Sequence, residues 1–579
     1  MIGQLDSMWR LLTPSVLPTS NIGTISKDDS DVISIRKSAM PKNRANDPKK
    51  FVHDHLHVPV ANKLGASATP KRKSLLLAAG LIFCAFAQTV QASDTASPSA
   101  ENAPAHQSSG PPSSSEPVLP SDAVTSQVLV SNKGEQITYT ATAGSVTLTD
   151  AKGGKTAEIF YVSYMRSSVP PIKRPITFVF NGGPGASSAY LHMAAIGPRI
   201  LDFGNGRSAI TPDGKTINNP DSWLPFTDLV FVDPVGTGYS RAMNSVKDVG
   251  KAFWGVHKDL DALSKIIWLI LAKHDRMGSP VYLAGESYGG FRAAKLVKHL
   301  PADAGIPVTG ATLISPVLEF SLLNNDDFNP LAWALRLPSY AAVALEAGDK
   351  LNPEALQGAE RYALGDYLTT LAATPPDASK SSAFYAAVAK DIGLPESLVA
   401  RWDGRVPVSI FTKELHHETG EIASPYDGSI DGADPYPSAP RTHGSDPVFE
   451  NIIAPLTTSF VAYLRNELKF KTKRPYVLLN REVSRKWDWG RDDPSEAVGA
   501  SDDLREGLAL NPKLKIAVVH GMTDLVTPYM TSRYVIAHLP IELTRNRVSL
   551  DLLPGGHMMY LRPDSRAALS RSAQSIYSH

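Results

Sequence analysis

Hydrophobic positions follow two rhythms along this chain, and the change from one to the other predicts the architecture. Apolar and polar residues first alternate, in Gln136-Ile137-Thr138-Tyr139-Thr140 and Ser145-Val146-Thr147-Leu148-Thr149. After a turn at Lys152-Gly153-Gly154-Lys155 comes Ala157-Glu158-Ile159-Phe160-Tyr161-Val162-Ser163-Tyr164. Successive strand side chains point to opposite faces, so these stretches read as antiparallel, hairpin-type strands. Further on, the apolar runs become short and largely continuous: Ile176–Phe180, Leu229–Val232, Val281–Leu283, Ala311–Ile314 and Ile516–Val519, with Val548-Ser549-Leu550-Asp551-Leu552-Leu553 completing the set. Unbroken apolar strands joined by helical crossovers belong to a parallel sheet covered on both faces, which predicts an α/β fold.

The sheet rhythm stops between Glu319 and Leu508. Helix-like patterns cover Leu331–Leu345, Glu354–Leu371 and Ser382–Ala389, and the remainder reads as loop. This predicts an insertion, or cap, over residues 319–508, between core segments 121–318 and 509–579. It would cover the strand ends where active sites of such sheets form. Asp427, Asp431 and Asp434 within the cap lack the twelve-residue spacing and terminal bidentate Glu of a calcium loop, so they read as a solvated acidic loop.

The first 92 residues read as a leader. Lys71-Arg72-Lys73, the apolar Leu75–Ala87 and then Val90-Gln91-Ala92 are the three parts of a secretory signal peptide spanning 71–92. The apolar run is short of the roughly 20 residues that cross a bilayer, so no stable membrane anchor is expected. Its position far from Met1 points to a translation start downstream of Met1, with an unusually long leader as the alternative. Residues 93–120, rich in Ser, Pro and Ala, read as a disordered linker. His53, His55 and His57 in the leader read as solvated histidines. The localisation expected is periplasmic or extracellular.

Composition narrows the classes. The chain has 58 basic and 57 acidic residues, a formal net charge of +1, so no basic excess points to nucleic acid. It has one cysteine, Cys84, which excludes an intramolecular disulfide and would leave with the leader.

The chemistry starts at Val281-Tyr282-Leu283-Ala284-Gly285-Glu286-Ser287-Tyr288-Gly289-Gly290. A strand ends in Gly-x-Ser-x-Gly and a helical pattern follows, which is the context of a nucleophile elbow. Serine is a weak nucleophile at neutral pH; it needs a base, and the base needs an orienting carboxylate. Asp524 follows the strand Ile516–Val519, and His557 follows the final strand in Pro554-Gly555-Gly556-His557-Met558. Ser, Asp, His in that order, each after a strand, is the α/β-hydrolase arrangement. His520 is a rival base but precedes the acid. The glycine-rich Asn181-Gly182-Gly183-Pro184-Gly185-Ala186-Ser187-Ser188 follows another strand and offers exposed backbone donors, as an oxyanion hole requires. No Gly-Lys-Ser/Thr follows it, which argues against a phosphate loop.

These segments resemble the serine carboxypeptidases, peptidase family S10. Asn181–Ser188 is similar to that family's hallmark loop, Gly285–Gly290 to its nucleophile motif, and Gly555-Gly556-His557-Met558 to its histidine motif. Asn219–Trp223 and Asp233–Ser240 are similar to two further segments, and the ordered match runs from about Thr156 to Arg562. The resemblance implies Ser287 as nucleophile, His557 as base and Asp524 as its orienting acid. It implies an oxyanion hole from the N–H groups of Gly183 and Tyr288, and a grip on the substrate's terminal carboxylate by Asn181 and Glu286. Two carboxylates in contact cannot both stay ionised, so Glu286 would have to be protonated, which implies an acidic optimum. Two departures stand out. Ala186 replaces the hallmark cysteine, in keeping with a disulfide-free, bacterial-type member. Ala194 and Ala195 stand where eukaryotic members carry an acidic pair, which removes one expected partner of Glu286.

The reading is therefore an exported serine-type carboxypeptidase acting on peptides through an acyl-enzyme, with no metal and no cofactor. An acyltransferase or esterase on the same triad is the alternative, and a binding module on a hydrolase scaffold is a third reading. Trp487, Trp489, Tyr190 and Trp254 read as core residues more than as a pocket lining.

Overall fold

The computed structural model describes residues 119–579 except 168–169, 171–172, 209–213, 374–377, 491–497 and 578–579. The expected leader, signal peptide and nearly all of the linker lie outside the described residues. Three antiparallel strands come first: β1 (Ala123–Val130), β2 (Gln136–Thr149) and β3 (Lys155–Arg166). Then follow β4 (Ile176–Phe180), β5 (Asp228–Val232), β6 (Val281–Glu286), β7 (Val308–Ile314), β8 (Lys515–Gly521) and β9 (Val548–Leu553). They lie side by side as β1-β2-β3-β5-β4-β6-β7-β8-β9, and every pair from β5 to β9 is parallel. Strands β4, β5 and β6 are buried along their whole length, as unbroken apolar runs require. This is an α/β-hydrolase fold.

Helices cover both faces. Helix α1 (Val256–Lys273) and helix α2 (Tyr288–Ala304) pack over Ile176, Phe178, Leu283, Leu313 and Val518. On the other face Val179, Phe231, Ala284, Ile314 and Val519 meet Leu191, Tyr463 and Leu569. Asp228 at the start of β5 anchors the amino-terminal end of that strand: its carboxylate takes the buried Arg174 Nε at 2.6 Å, the buried Arg276 Nη1 and the part-buried Arg166 N–H at 2.9 Å. Removing that carboxylate leaves two buried guanidinium groups unpaired. Asp228→Ala is expected to destabilise the fold by about 3–5 kcal/mol, read by chemical denaturation.

Between β7 and β8 the chain leaves the sheet. Helix α3 (Pro330–Ala347) builds a separate small core there, in which Trp333, Leu337, Tyr340 and Val343 meet Tyr367, Phe411 and Leu525. The second half of this stretch, expected as loop, holds the 18-residue helix α4 (Phe449–Asn466). Pro455 inside it and a scatter of Thr and Ser masked the period. Burial of Ile452, Leu456, Phe460, Tyr463 and Leu464, spaced three to four apart apart from the last pair, offsets the lost hydrogen bond.

Candidate active site

Every site residue expected from the sequence lies at or just beyond the carboxyl end of a strand of the parallel sheet. Strand β6 ends at Glu286, Ser287 adopts φ 58° and ψ −123°, and helix α2 starts at Tyr288. A non-glycine residue at positive φ is strained, and the flanking glycines show why the turn tolerates little bulk. A Cβ on Gly285 would sit 1.9 Å from Gly289 O, and one on Gly289 would sit 2.3 Å from Phe180 O. The Ser287 N–H donates to Ile314 O at 2.9 Å, which pins the turn to the end of β7. Ser287 stays partly exposed while its neighbours on both sides are buried.

Asp524 and His557 lie after β8 and β9, and the parallel register that pairs Gly521 with Leu553 brings their loops together. His557 Nδ1 meets Asp524 Oδ2 at 2.8 Å, with both side chains buried. The second Asp524 oxygen accepts from the N–H groups of Val526 (2.8 Å) and Thr527 (2.9 Å). Thr527 Oγ1 lies 2.7 Å from Asp524 Oδ2, 3.0 Å from His557 Nδ1 and 3.0 Å from Ser315 O. Ser315 Oγ in turn donates to His557 O at 3.0 Å, and His557 N–H donates to Tyr426 O at 2.5 Å. Burial alone pushes the His557 imidazole down; the charge and hydrogen bond of Asp524, helped by Glu286, outweigh it and hold the pKa above the ordinary value. No hydrogen bond joins Ser287 Oγ to His557 among the described residues. Such contacts are often loose before substrate binds.

Asn181 is one residue beyond the last paired position of β4, where Phe180 stands opposite Gly285 of β6. Continuing that register by one step puts Asn181 beside Glu286. The Leu191 N–H donates to Asn181 Oδ1 at 2.9 Å, which orients the amide so that Nδ2 donates to Glu286 Oε2. Arg292, whose Nε donates to Asp259 Oδ2 at 2.6 Å, holds the backbone from behind by donating from Nη1 to Asn181 O at 2.6 Å. The glycine loop lies against the elbow, since a Cβ on Gly182 would sit 2.7 Å from the Tyr288 nitrogen. Neither the Gly183 nor the Tyr288 N–H has an acceptor among the described residues.

Glu286 is the most perturbed acid of this cluster. It is buried, accepts from Tyr560 OH at 2.6 Å, and burial pushes its carboxyl up to about 7. His557, Tyr560 and Asn181 pull it down and Asp524 pushes it further up, so burial decides the direction.

One reading changes and several hold. Asp427 is not a solvated loop residue: it is buried, accepts from Thr523 Oγ1 at 2.7 Å, and meets Arg562 Nη2 at 3.0 Å. Tyr426 and Asp427 press on the histidine loop, where a Cβ on Gly556 would sit 2.0 Å from Tyr426 O. The rival base His520 lies buried against Ser532 Oγ at 2.8 Å, and burial holds its pKa down at about 4, so it stays neutral. Trp487 donates to Tyr288 OH at 3.1 Å and Trp254 to Val235 O at 3.2 Å, as core residues with satisfied N–H groups. Tyr190 is buried and stacks on Phe449 of α4, with its hydroxyl unpartnered among the described residues. Thr527, Tyr560, Tyr426 and Arg292 were not nominated from the sequence.

Comparison with known proteins bears on the elbow half of this site. Residues 134–305 match the family Peptidase_S10, serine carboxypeptidase. The matched segment carries Asn181, Gly183, Glu286, Ser287 and Tyr288; Asp524 and His557 lie beyond it. A carboxypeptidase Y homolog of Arthroderma benhamiae is 34% identical over 177 residues, 29% of this chain and 31% of that protein. The serine carboxypeptidase-like 36 protein of Arabidopsis thaliana is 28% identical over 173 residues, 29% of this chain and 33% of that protein. The chain thus spans about a third of the length of these curated relatives. Among solved structures, homoserine O-acetyltransferase from Bacillus anthracis is 10% identical, over 79% of this chain and 98% of that one, with a TM-score of 0.32. At that distance the fold rests on the strand order described above.

Proposed function

We propose that this protein is a serine-type carboxypeptidase that removes C-terminal residues from peptides through an acyl-enzyme. The observation that carries the proposal is Glu286. It is a buried carboxyl with a raised pKa beside Ser287, clamped by Asn181 and Tyr560. A neutral carboxyl in that place can donate to a free terminal carboxylate, whereas an ionised one would repel it.

In the proposed reaction Ser287 Oγ attacks the carbonyl carbon of the last peptide bond while His557 takes the hydroxyl proton. The N–H groups of Gly183 and Tyr288 stabilise the oxyanion, where each such donor is worth about 3 kcal/mol. The C–N bond breaks, His557 delivers its proton to the leaving amine, and the shortened peptide remains as an ester on Ser287. Water, deprotonated by His557, then releases it and restores the serine. Asp524 holds the imidazole in the tautomer whose Nε2 accepts a proton. Export by the signal segment, and membership of a disulfide-free, bacterial-type branch, complete the proposal. They rest on residues 71–92, on Ala186 and on the single cysteine.

The pH dependence follows from two groups. His557 must be neutral to act as base, which gives the acid limb. Glu286 must be protonated, which it is below its folded pKa, so binding of a free C-terminus is lost as pH rises past about 7. The groups are coupled, so the limbs belong to the pair. On a peptide with a free C-terminus, kcat/KM is expected to fall about tenfold per pH unit on the alkaline side. Glu286→Gln keeps a neutral donor that does not titrate, and its profile is expected to lose that limb. Equal alkaline limbs in the parent and Glu286→Gln enzymes reject the role of Glu286.

A further inference from the structure

Tyr560 stands three residues after His557, in the short turn Met559–Leu561 that closes the histidine loop, and is fully buried. Its hydroxyl donates to Glu286 Oε1 at 2.6 Å, and Asn181 Nδ2 holds the other oxygen. The Glu286 carboxyl is therefore fixed from two sides, by the loop after β4 and by the loop after β9. The second loop also carries the base. One turn of chain thus sets both the imidazole and the carboxyl beside Ser287, and a carboxyl held at both oxygens has no rotamer freedom left to lose when substrate arrives.

On the carboxypeptidase reading above, we infer that Tyr560 is the positioning residue of the carboxylate subsite, its hydroxyl fixing the Glu286 carboxyl toward the substrate's C-terminus. A phenol suits this role. Burial and the neighbouring Glu286 hold its pKa well above the ordinary value, so it stays a neutral donor at every working pH. The proton that binds and leaves at this contact is then that of Glu286 alone. Other ionisable groups facing Glu286 are His557 and Asp524, and the phenols of Tyr190 and Tyr426, both also pushed up by burial. The nearby cation, Arg292, is already paired with Asp259. Tyr560 is the one of these phenols that touches the carboxyl, through a bond that favours its charged form.

The test is Tyr560→Phe, which keeps the ring and removes the donor. Losing a bond to the charged form raises the proton affinity of Glu286. The alkaline limb of kcat/KM on a free-C-terminal peptide is then expected to move up by about one pH unit. KM should change more than kcat, and a C-terminally amidated peptide or an ester should show no such movement. A merely structural tyrosine would lower thermal stability and kcat on all substrates alike and leave the limb in place. In a Glu286→Ala background, which removes the group that Tyr560 holds, the same substitution is expected to add no further change in KM. An unmoved limb in Tyr560→Phe, or an equal KM effect with and without Glu286, overturns the inference. If the parent enzyme does not prefer free over amidated C-termini, the carboxypeptidase reading itself falls. A parent that prefers free C-termini while its Tyr560→Phe variant keeps the limb loses only the role of Tyr560.

Discussion

Replacing Ser287 by alanine is expected to lower kcat on a peptide by about a million-fold while leaving the protein folded. The residue is the only one whose hydroxyl can form the acyl bond in the proposed reaction, so no neighbouring group substitutes for it. Alanine carries the same Cβ as serine and meets the same φ of 58°, so the strained turn is kept and only the oxygen is lost. Single-turnover kinetics with an ester substrate, together with a thermal melt, separates loss of chemistry from loss of fold. A fluorophosphonate probe should label the parent at Ser287 and leave the alanine variant unmarked. Unchanged peptide cleavage by the variant contradicts the mechanism.

The second large effect is expected at Asp524, where asparagine should lower kcat by about ten-thousand-fold with KM little changed. Asp524 is fully buried, and its Oδ2 faces His557 Nδ1 at 2.8 Å. Oδ1 is held by the Val526 and Thr527 N–H groups, which need an acceptor. An asparagine that keeps its carbonyl oxygen on those donors must turn its NH2 toward Nδ1. The imidazole then carries its proton on Nε2 and cannot take one from serine. The raised pKa of His557 depends on the same carboxylate, so the acid limb should also move down in the variant. A fall of less than about tenfold in kcat would show that the pair does not act as a unit.

The frame of the candidate site was legible in the sequence because its parts are backbone requirements. Unbroken apolar runs such as Ile176–Phe180 leave a strand little choice but burial on both faces, and Gly285 and Gly289 mark a turn that admits no side chain there. Once β4 and β6 are recognised as parallel neighbours, their register brings Asn181 to Glu286. The missed residues are of another kind. Thr527 and Tyr560 each follow a recognised residue by three positions, and nothing in a threonine or tyrosine there announces a hydrogen bond to Asp524 or Glu286. Asp427 read as solvated because its acidic stretch lacks the spacing and terminal Glu of a calcium loop. Its partners Thr523 and Arg562 lie more than ninety residues away in the chain. Helix α4 was hidden by Pro455, whose local cost is offset only by a tertiary face invisible to propensity. The loss of an acidic pair at Ala194 and Ala195 suggested that Glu286 had no second partner, and its phenol partner came from a loop far along the chain.

The most direct measurement compares one peptide in two forms, with a free C-terminal carboxylate and with that terminus amidated, as kcat/KM across pH 5 to 9. A carboxyl grip by Glu286 predicts a large preference for the free form at low pH that shrinks as pH rises past about 7, with cleavage confined to the last bond. Equal rates on the two forms, or cuts at internal bonds, would contradict a carboxypeptidase built around Glu286.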